Sequence, residues 1–301
     1  MNRLRCAMML VIVAATTPTA HAADGPVVTR ESQYNTIYVT QTGTYVSMLF
    51  GFNRRLYTES IVNTADPLEL PTAYSRFMTL PLAYAETPRR LLEIGLGGGT
   101  TASYLFNSFP QLDITIVELD PVVVELAREY FFLPTAGRLK VVVRDGRIFL
   151  ARSTETFDII LIDAYRAPFV PFHLLTREFF QLVEDHLAPG GAVAQNVEPN
   201  TMLFEAALAT MKAVFDHVDV YDAAGNAVAI AYNGPSLNRQ QLAERAAAID
   251  AAYAPRYPLA AMALQRQVID TVDARVLTDD FAPVEMLNAT ERNNLPRPAP
   301  N

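Results

Sequence analysis

The stretch LLEIGLGGGTT, Leu91 to Thr101, combines an apolar run, four glycines within five residues and the start of a helical pattern. Glycines allow unusual backbone angles, and a glycine loop before a helix leaves bare N–H groups for a ligand. The loop lacks the third glycine of a dinucleotide fingerprint, because Thr100 stands in that place. The sequence therefore predicts a ligand-binding loop formed by four residues: Gly95, Gly97, Gly98 and Gly99.

Strands and helices alternate around this loop. Short apolar runs predict strands at 90–95, 113–118, 139–144, 157–163 and 191–197. Helices are expected at 99–108, 121–132, 176–187 and 200–214. Such alternation indicates a parallel sheet covered on both faces. The last two strands, 217–222 and 226–232, are separated by too few residues for a crossover, so they form an antiparallel pair. The predicted fold class is α/β, a doubly wound, mainly parallel sheet of the S-adenosylmethionine-dependent methyltransferase type with an antiparallel last strand.

The N-terminal part differs in its pattern. Residues 27–62 alternate polar and apolar side chains, which predicts a β-hairpin or a three-stranded meander. A short stretch at 72–86 and an alanine-rich stretch at 236–276 are predicted to be helical. The predicted division is a signal peptide (1–22), a β-meander (27–70), a nucleotide-binding domain (72–287) and a disordered tail (288–301).

The first residues have the layout of a secretory signal peptide. Arg3 and Arg5 precede an apolar run at 6–15, and Ala20-His21-Ala22 matches a cleavage site. The run is too short to span a bilayer. Cleavage would also remove Cys6, the only cysteine of the chain. The protein is therefore expected to be exported, periplasmic or secreted, without stable membrane insertion and without disulfides.

Acidic residues follow three of the predicted strands. Glu118 ends the second strand, Asp145 with Gly146 follows the third, and Asp163 ends the fourth. Ligands of such sheets bind at the carboxyl ends of the strands, where a carboxylate after the second strand can hold ribose hydroxyls. A dinucleotide would not need Asp145, whereas an adenine amino group could donate to it. The pattern predicts an adenosyl site that favours S-adenosylmethionine or a relative over NAD.

Charge and histidine usage exclude two other classes of site. The net charge of −8 speaks against a nucleic-acid partner, since such proteins usually carry a basic surplus. The histidines lack metal-ligand spacing, so no metal is predicted. His173, His186 and His217 are instead expected in surface or capping roles.

The chain resembles the spermidine synthase (polyamine aminopropyltransferase) family. The segment ESQYNTIYV at 31–39 is similar to its N-terminal signature, and LEIGLGGG, VELDP, DGRIFL and FDIILIDAY follow in the family's order. The closing LTDDFAPVE at 277–285 resembles the subgroup fused to membrane transporters.

This resemblance implies decarboxylated S-adenosylmethionine as the donor and an amine as the acceptor. It implies that Glu118 binds ribose, Asp145 and Gly146 bind adenine, and residues 95–99 lie near the sulfonium. Tyr34 would line the acceptor pocket beside Asn35, and Tyr221 would be a second pocket tyrosine. The catalytic candidates are Asp163 and Tyr34.

Two positions depart from the family's pattern. Gly98 stands where the resemblance places an aspartate that grips the aminopropyl amine, and Arg166 stands where it places the proton acceptor. Arginine cannot act as a base at neutral pH and would repel a diammonium substrate. Aminopropyl transfer to putrescine is therefore predicted to be absent or very slow, unless Asp163, Asp279 or Asp280 replaces the lost acids.

Three functions stay open on the sequence. The first is an aminopropyltransferase-like enzyme, and the second is a methyltransferase that uses intact S-adenosylmethionine. The third is a non-catalytic exported protein that binds a polyamine or a nucleoside, or serves as a scaffold. The predicted partners are a small-molecule amine or other acceptor, and a second copy of the chain through the N-terminal β-region.

Overall fold

A computed structural model describes residues 26–135, 137–165, 170–199, 202–267 and 274–283. Its strands are β1 (Pro26–Glu31), β2 (Thr36–Thr42), β3 (Tyr45–Phe52), β4 (Arg55–Asn63), β5 (Arg90–Ile94), β6 (Asp113–Glu118), β7 (Leu139–Val143), β8 (Phe157–Ile162), β9 (Leu187–Val197), β10 (His217–Asp222) and β11 (Ala227–Tyr232). Its helices are α1 (Ala73–Phe77), α2 (Pro81–Tyr84), α3 (Thr100–Ser108), α4 (Pro121–Tyr130), α5 (Gly146–Arg152), α6 (Arg177–Asp185), α7 (Met202–Lys212), α8 (Arg239–Tyr253) and α9 (Leu259–Ala263). A 3₁₀ turn covers Phe172–Leu174. The predicted signal peptide, Arg166 and the predicted tail lie outside the described residues.

The central sheet has seven strands in the order β10-β11-β9-β8-β5-β6-β7. Strands β5 to β9 pair in parallel, and β11 runs antiparallel to both of its neighbours, β9 and β10. The turn at 223–226 that joins β10 to β11 allows this reversal because Ala224 and Gly225 both adopt positive φ. The predicted fold, a methyltransferase-type sheet with an antiparallel last strand, is confirmed.

The N-terminal region forms a separate antiparallel sheet in the order β1-β2-β3-β4. The prediction of a hairpin or three-stranded meander missed β1, whose side chains are mostly exposed and give no apolar periodicity. The inner face of this sheet joins one large apolar cluster with helices of the central domain. Ile37, Met48 and Val62, for example, are fully buried in that cluster. This packing fixes the small sheet over the carboxyl ends of the central strands.

Several predicted boundaries are corrected by the structure. The predicted helix at 72–86 is two short helices, α1 and α2, and β9 begins at Leu187, four residues earlier than expected. Among its described residues, the alanine-rich region is helical in α8 and α9 only, because Pro255 and Pro258 interrupt it and Ala254 ends α8 with φ +46°. Helix α5 was not predicted, since seven residues are too few for a clear period.

A second apolar cluster covers the other face of the central sheet, where α6 and α7 pack. Phe179, Phe180 and Met211 are fully buried there. The aromatic pair at 179–180 therefore belongs to the core. Within the described parts of the chain, no helix is both long and apolar enough to cross a membrane.

Candidate functional site

A cavity of about 800 Å³ lies at the carboxyl ends of the central strands. The glycine loop, the N-terminal sheet and residues 282–283 all contribute to its wall. The cavity brings together most of the residues that the sequence singled out for a site, although they lie far apart in the chain: Tyr34, Asn35, Gly95, Gly97, Glu118, Asp145, Gly146 and Asp163. Gly98, Gly99 and Tyr221 are not among its lining residues.

The glycine loop is shaped by close packing on both sides. Gly95 has φ +94°, and a Cβ there would lie 2.2 Å from the backbone oxygen of Asp163. This glycine therefore lets β5 approach the end of β8, where both meet the cavity. Gly97 has φ +52° and lies against Ser60, whose hydroxyl accepts a hydrogen bond from the N–H of Gly98 at 2.8 Å.

Gly98 and Gly99 serve packing in this structure. A Cβ at Gly98 would lie 2.4 Å from Cδ1 of Phe131, a fully buried ring. Gly99 caps α3 in the left-handed region, with the Leu133 side chain against it. The aspartate that the resemblance places at position 98 has no room here, because Phe131 occupies the space.

Glu118 connects the second strand to the glycine loop. Its two carboxylate oxygens accept hydrogen bonds from the N–H groups of Leu96, at 2.9 Å, and Asp120, at 2.8 Å. Burial raises its pKa, and these two hydrogen bonds oppose that effect. Asp120 caps α4 and also accepts from the hydroxyl of Ser32, which ties the N-terminal region to this edge of the cavity. Each Glu118 oxygen keeps lone pairs for a further donor.

Asp145 has a partner that sequence reasoning missed. It caps α5 by accepting from the N–H of Ile148, and its other oxygen lies 2.9 Å from Nε2 of His173. The hydrogen bond from His173 lowers the pKa of Asp145. The sequence predicts a surface or capping role for His173, yet this residue lines the cavity beside the exposed ring of Phe172. The long loop after β8 brings His173 to the cavity. No local sequence pattern indicates this position.

Asp163 lies at the centre of a polar network. Its Oδ1 accepts from the amide of Asn196 at 3.0 Å, and the hydroxyl of Tyr74 also donates to the carboxylate. Burial raises the pKa of Asp163, and these two hydrogen bonds lower it. The hydroxyl of Tyr165 donates to the backbone oxygen of Asn196 at 3.1 Å, and Asn226 donates to its side-chain oxygen. Asn196 thus orients both Asp163 and Tyr165.

Glu59 is a cavity residue that sequence reasoning did not identify. It lies in β4 of the N-terminal sheet and lines the cavity together with its neighbour Ser60. Burial raises its pKa to about 8, and the negative charges of Asp163 and Glu118 add to the shift. A glutamate within a strand of alternating polar and apolar residues is expected to face solvent, so no sequence pattern indicates this role.

The C-terminal segment 274–283 closes one side of the cavity. Asp279 binds Arg147 through two hydrogen bonds of 2.7 and 2.6 Å and accepts another from Thr176. Ala282 and Pro283 then line the cavity. Asp279 and Asp280 do not line the cavity. The structure therefore does not place these two candidate replacements for the lost acids at the site.

Tyr221 of β10 lies outside the cavity lining, in a buried hydrogen-bond network. Its hydroxyl is 2.6 Å from that of Tyr84, which donates to Asp219, and Arg266 pairs with the same aspartate. The expectation of a second pocket tyrosine at position 221 is therefore wrong. Tyr74 and Tyr165 provide cavity tyrosines instead.

The charge of the cavity is strongly one-sided. Five carboxyl groups line it, and among the described lining residues there is no lysine or arginine: Glu59, Glu118, Asp120, Asp145 and Asp163. The cavity therefore suits a ligand that carries positive charge. No group of three or more histidine, cysteine or acidic side chains within the described residues has the arrangement of a metal site.

The family is settled by comparison with known proteins. The model of the spermine/spermidine synthase domain matches residues 72–224. The polyamine aminopropyltransferase of Vibrio vulnificus is 31% identical over 226 residues, which cover 71% of this chain and 75% of that protein. This chain belongs to the spermine/spermidine synthase family.

Solved structures agree on the fold of this family member. A probable spermidine synthase from Corynebacterium glutamicum superposes with a TM-score of 0.65 at 24% identity, covering 83% of this chain and 95% of that one. Human Methyltransferase-like protein 13, solved with S-adenosylhomocysteine (SAH), has a TM-score of 0.56 at 26% identity. It covers 67% of this chain and 97% of that one. The same architecture therefore occurs in both of these proteins.

Proposed function

We propose that this protein is an aminopropyltransferase, which binds decarboxylated S-adenosylmethionine and transfers its aminopropyl group to an amine. The observation that carries the proposal is the carboxylate-lined cavity of about 800 Å³, whose five acids favour cationic ligands such as a sulfonium donor and a protonated amine. Its similarity to polyamine aminopropyltransferases supports the same assignment.

The cavity divides into two halves by the roles of its residues. The nucleoside half comprises Gly95, Gly97, Glu118, Asp145 and Gly146. In it, Glu118 accepts from ribose hydroxyls while it holds the glycine loop, and Asp145 accepts from the adenine amino group. His173 already donates to Asp145, so an incoming adenine shares or replaces this hydrogen bond.

The other half, which holds the donor's aminopropyl group and the acceptor amine and is called the acceptor half, comprises Glu59, Tyr74, Asp163 and Tyr165. A free primary amine has a pKa near 10, so it arrives protonated and must lose a proton before it attacks. The amine nitrogen then forms a bond to the aminopropyl carbon, the carbon–sulfur bond breaks, and methylthioadenosine leaves as a neutral thioether. Asp163, with a pKa raised by burial and an orientation fixed by Asn196 and Tyr74, takes up the proton.

The acceptor amine is where this member differs from its family. Position 98 carries no aspartate, and Arg166 stands in place of an acid. The prediction that putrescine is turned over slowly or not at all therefore stays a prediction, and the test must offer other amines as well.

The test is to supply decarboxylated S-adenosylmethionine with monoamines, diamines and longer polyamines and to measure methylthioadenosine, the product common to all acceptors. We expect release with at least one amine and its loss in Asp163→Asn. Binding of the donor without release of methylthioadenosine for any amine would contradict aminopropyl transfer.

The methyltransferase function is the second candidate, because human Methyltransferase-like protein 13 shares this architecture at 26% identity and was solved with SAH. Intact S-adenosylmethionine is therefore run in parallel. Formation of SAH in place of methylthioadenosine would favour methyl transfer.

We also propose that the protein acts outside the cytoplasm, on the basis of the charged and apolar layout of residues 1–22. N-terminal sequencing of the native protein should begin at Ala23. A cytosolic chain that retains Met1 would contradict export.

A further inference from the structure

A β-bulge in the N-terminal sheet directs Glu59 into the cavity. Met48 of β3 pairs with Ser60, and the next residue, Leu49, pairs with Thr58, so Glu59 has no partner across the ladder. Adjacent residues of a regular strand point to opposite faces, yet Glu59 and Ser60 both line the cavity. Bulges of this kind re-aim side chains and are common beside active sites.

The surroundings of Glu59 contain charges of one sign. Asp163 and Glu118 approach it from the carboxyl ends of β8 and β6 and repel its ionised form. Tyr74 from α1 and Tyr165 from the loop after β8 also lie close enough to interact with it, and both keep their protons because burial raises their pKa well above 10. No cationic side chain among the described cavity residues offsets these carboxylates. The pair formed by Asp145 and His173 is a separate titratable unit of the same cavity.

Resting on the proposed function, we propose that Glu59 binds the positive charge of the substrate and releases its own proton when that charge enters the cavity. The carboxylic acid loses its proton to solvent, and the resulting carboxylate pairs with the sulfonium or ammonium group. Glu59 thereby supplies, from the N-terminal sheet, the negative charge that Gly98 cannot supply from the glycine loop.

The direction in which ligand affinity changes with pH follows from the protonation state of Glu59 in the empty cavity. The pKa of Glu59 is raised to about 8, so the empty site is mostly protonated at neutral pH. A cation selects the ionised form, and its affinity should rise by up to about tenfold per pH unit below that pKa. Above it, Glu59 is already ionised and the affinity should become constant.

The experiment compares two ligands that share the nucleoside but differ in charge. Decarboxylated S-adenosylmethionine carries a sulfonium and a primary ammonium, whereas methylthioadenosine is neutral. Both place adenosine in the same half of the cavity, so any proton exchanged by His173 and Asp145 is common to them. Calorimetric titration in buffers of different ionisation enthalpy gives the number of protons released, for the unmodified protein and for Glu59→Gln. Glu125→Gln, exposed on α4, is the matched control.

At pH 7 we expect decarboxylated S-adenosylmethionine to release nearly one proton more than methylthioadenosine from the unmodified protein and from Glu125→Gln. In Glu59→Gln this difference should vanish. Its affinity for the cationic ligand should fall by about tenfold or more at pH 9, since one charge-assisted contact is lost, while methylthioadenosine binds as before.

Equal proton release by the two ligands in the unmodified protein, or an unchanged difference in Glu59→Gln, would overturn the role of Glu59 and leave the proposed function standing. Failure of methylthioadenosine to bind the folded protein would instead overturn the proposed function, and the role of Glu59 would fall with it.

Discussion

The two halves of the cavity are built in different ways. The nucleoside half is assembled from short stretches in which a strand ends and a helix begins, so each side chain is positioned by its own strand and by backbone hydrogen bonds. The acceptor half draws Glu59 from a bulged strand of the other sheet, Tyr74 from α1, and Asp163 and Tyr165 from the end of β8. Local motifs thus fix the nucleoside half, whereas long-range packing fixes the acceptor half. Substitutions should therefore affect different measurable quantities in the two halves.

The largest effect is expected at Asp163. Asp163→Asn keeps the size of the side chain but removes the proposed proton acceptor, so release of methylthioadenosine should fall by about 10²–10⁴-fold. Donor binding should change much less, because the nucleoside half is intact. The measurement is single-turnover release with saturating donor and acceptor. Asp113→Asn, exposed at the opposite end of β6, should leave the rate unchanged. An Asp163→Asn rate close to that of the unmodified protein would place the base elsewhere.

Substitution of Glu118 should affect ligand affinity more than the rate of methylthioadenosine release. Glu118→Ala removes the proposed ribose contacts, worth roughly 1.5–3 kcal/mol each, so affinity for methylthioadenosine should fall by one to several orders of magnitude. Asp145→Ala should be milder. Because Glu118 also accepts from Leu96 and Asp120, the thermal midpoint of each variant must be recorded. A folded Glu118→Ala protein with unchanged affinity would rule out this nucleoside site.

A substitution at Gly98 tests whether packing against Phe131 excludes the aspartate that the resemblance places there. Introducing by Gly98→Asp the aspartate that the resemblance places here should not raise the rate with putrescine, because the Cβ would lie 2.4 Å from the ring of Phe131. Overpacking of this kind costs about 1–3 kcal/mol of unfolding free energy. Denaturant unfolding of Gly98→Asp with and without Phe131→Leu measures the clash, and the smaller residue should recover part of the loss. Full stability of Gly98→Asp alone would show that the loop relaxes.

The difference between local motifs and long-range packing also explains which site residues could be predicted from the sequence. Gly95, Glu118, Asp145 and Asp163 each end or follow an apolar strand, and parallel strands bring such positions to one edge. Glu59 and His173 carry no such signal, since a bulge and a long loop bring them to the cavity. The strand that carries Tyr221 was predicted correctly. The expectation of a cavity position for Tyr221 was wrong because packing directs its side chain toward Tyr84. Helix α5 escaped prediction for lack of length.

The smallest effect is expected at the segment 274–283, of which Ala282 and Pro283 line the cavity. Arg147 and Asp279 form a bidentate pair with side chains 25% and 43% exposed, and Thr176 adds a hydrogen bond. Partly exposed pairs contribute about 0.2–1 kcal/mol. A double-mutant cycle of Arg147→Ala and Asp279→Ala should give a coupling of this size in unfolding free energy.

The cycle also tests whether this pair matters to the site beyond stability. Ala282 and Pro283 line the cavity only a few residues beyond Asp279, so loosening the segment should raise the KM for the donor severalfold and leave kcat nearly unchanged. The pKa of Asp279 is held low by the hydrogen bonds from Arg147, so the coupling should persist above the ordinary carboxyl range and disappear as the pH falls below that lowered pKa. Asp280→Ala, one residue further and outside the pair, is the control. A KM that is unchanged in Asp279→Ala would mean that residues 282–283 hold their place in the cavity wall without the Arg147–Asp279 pair.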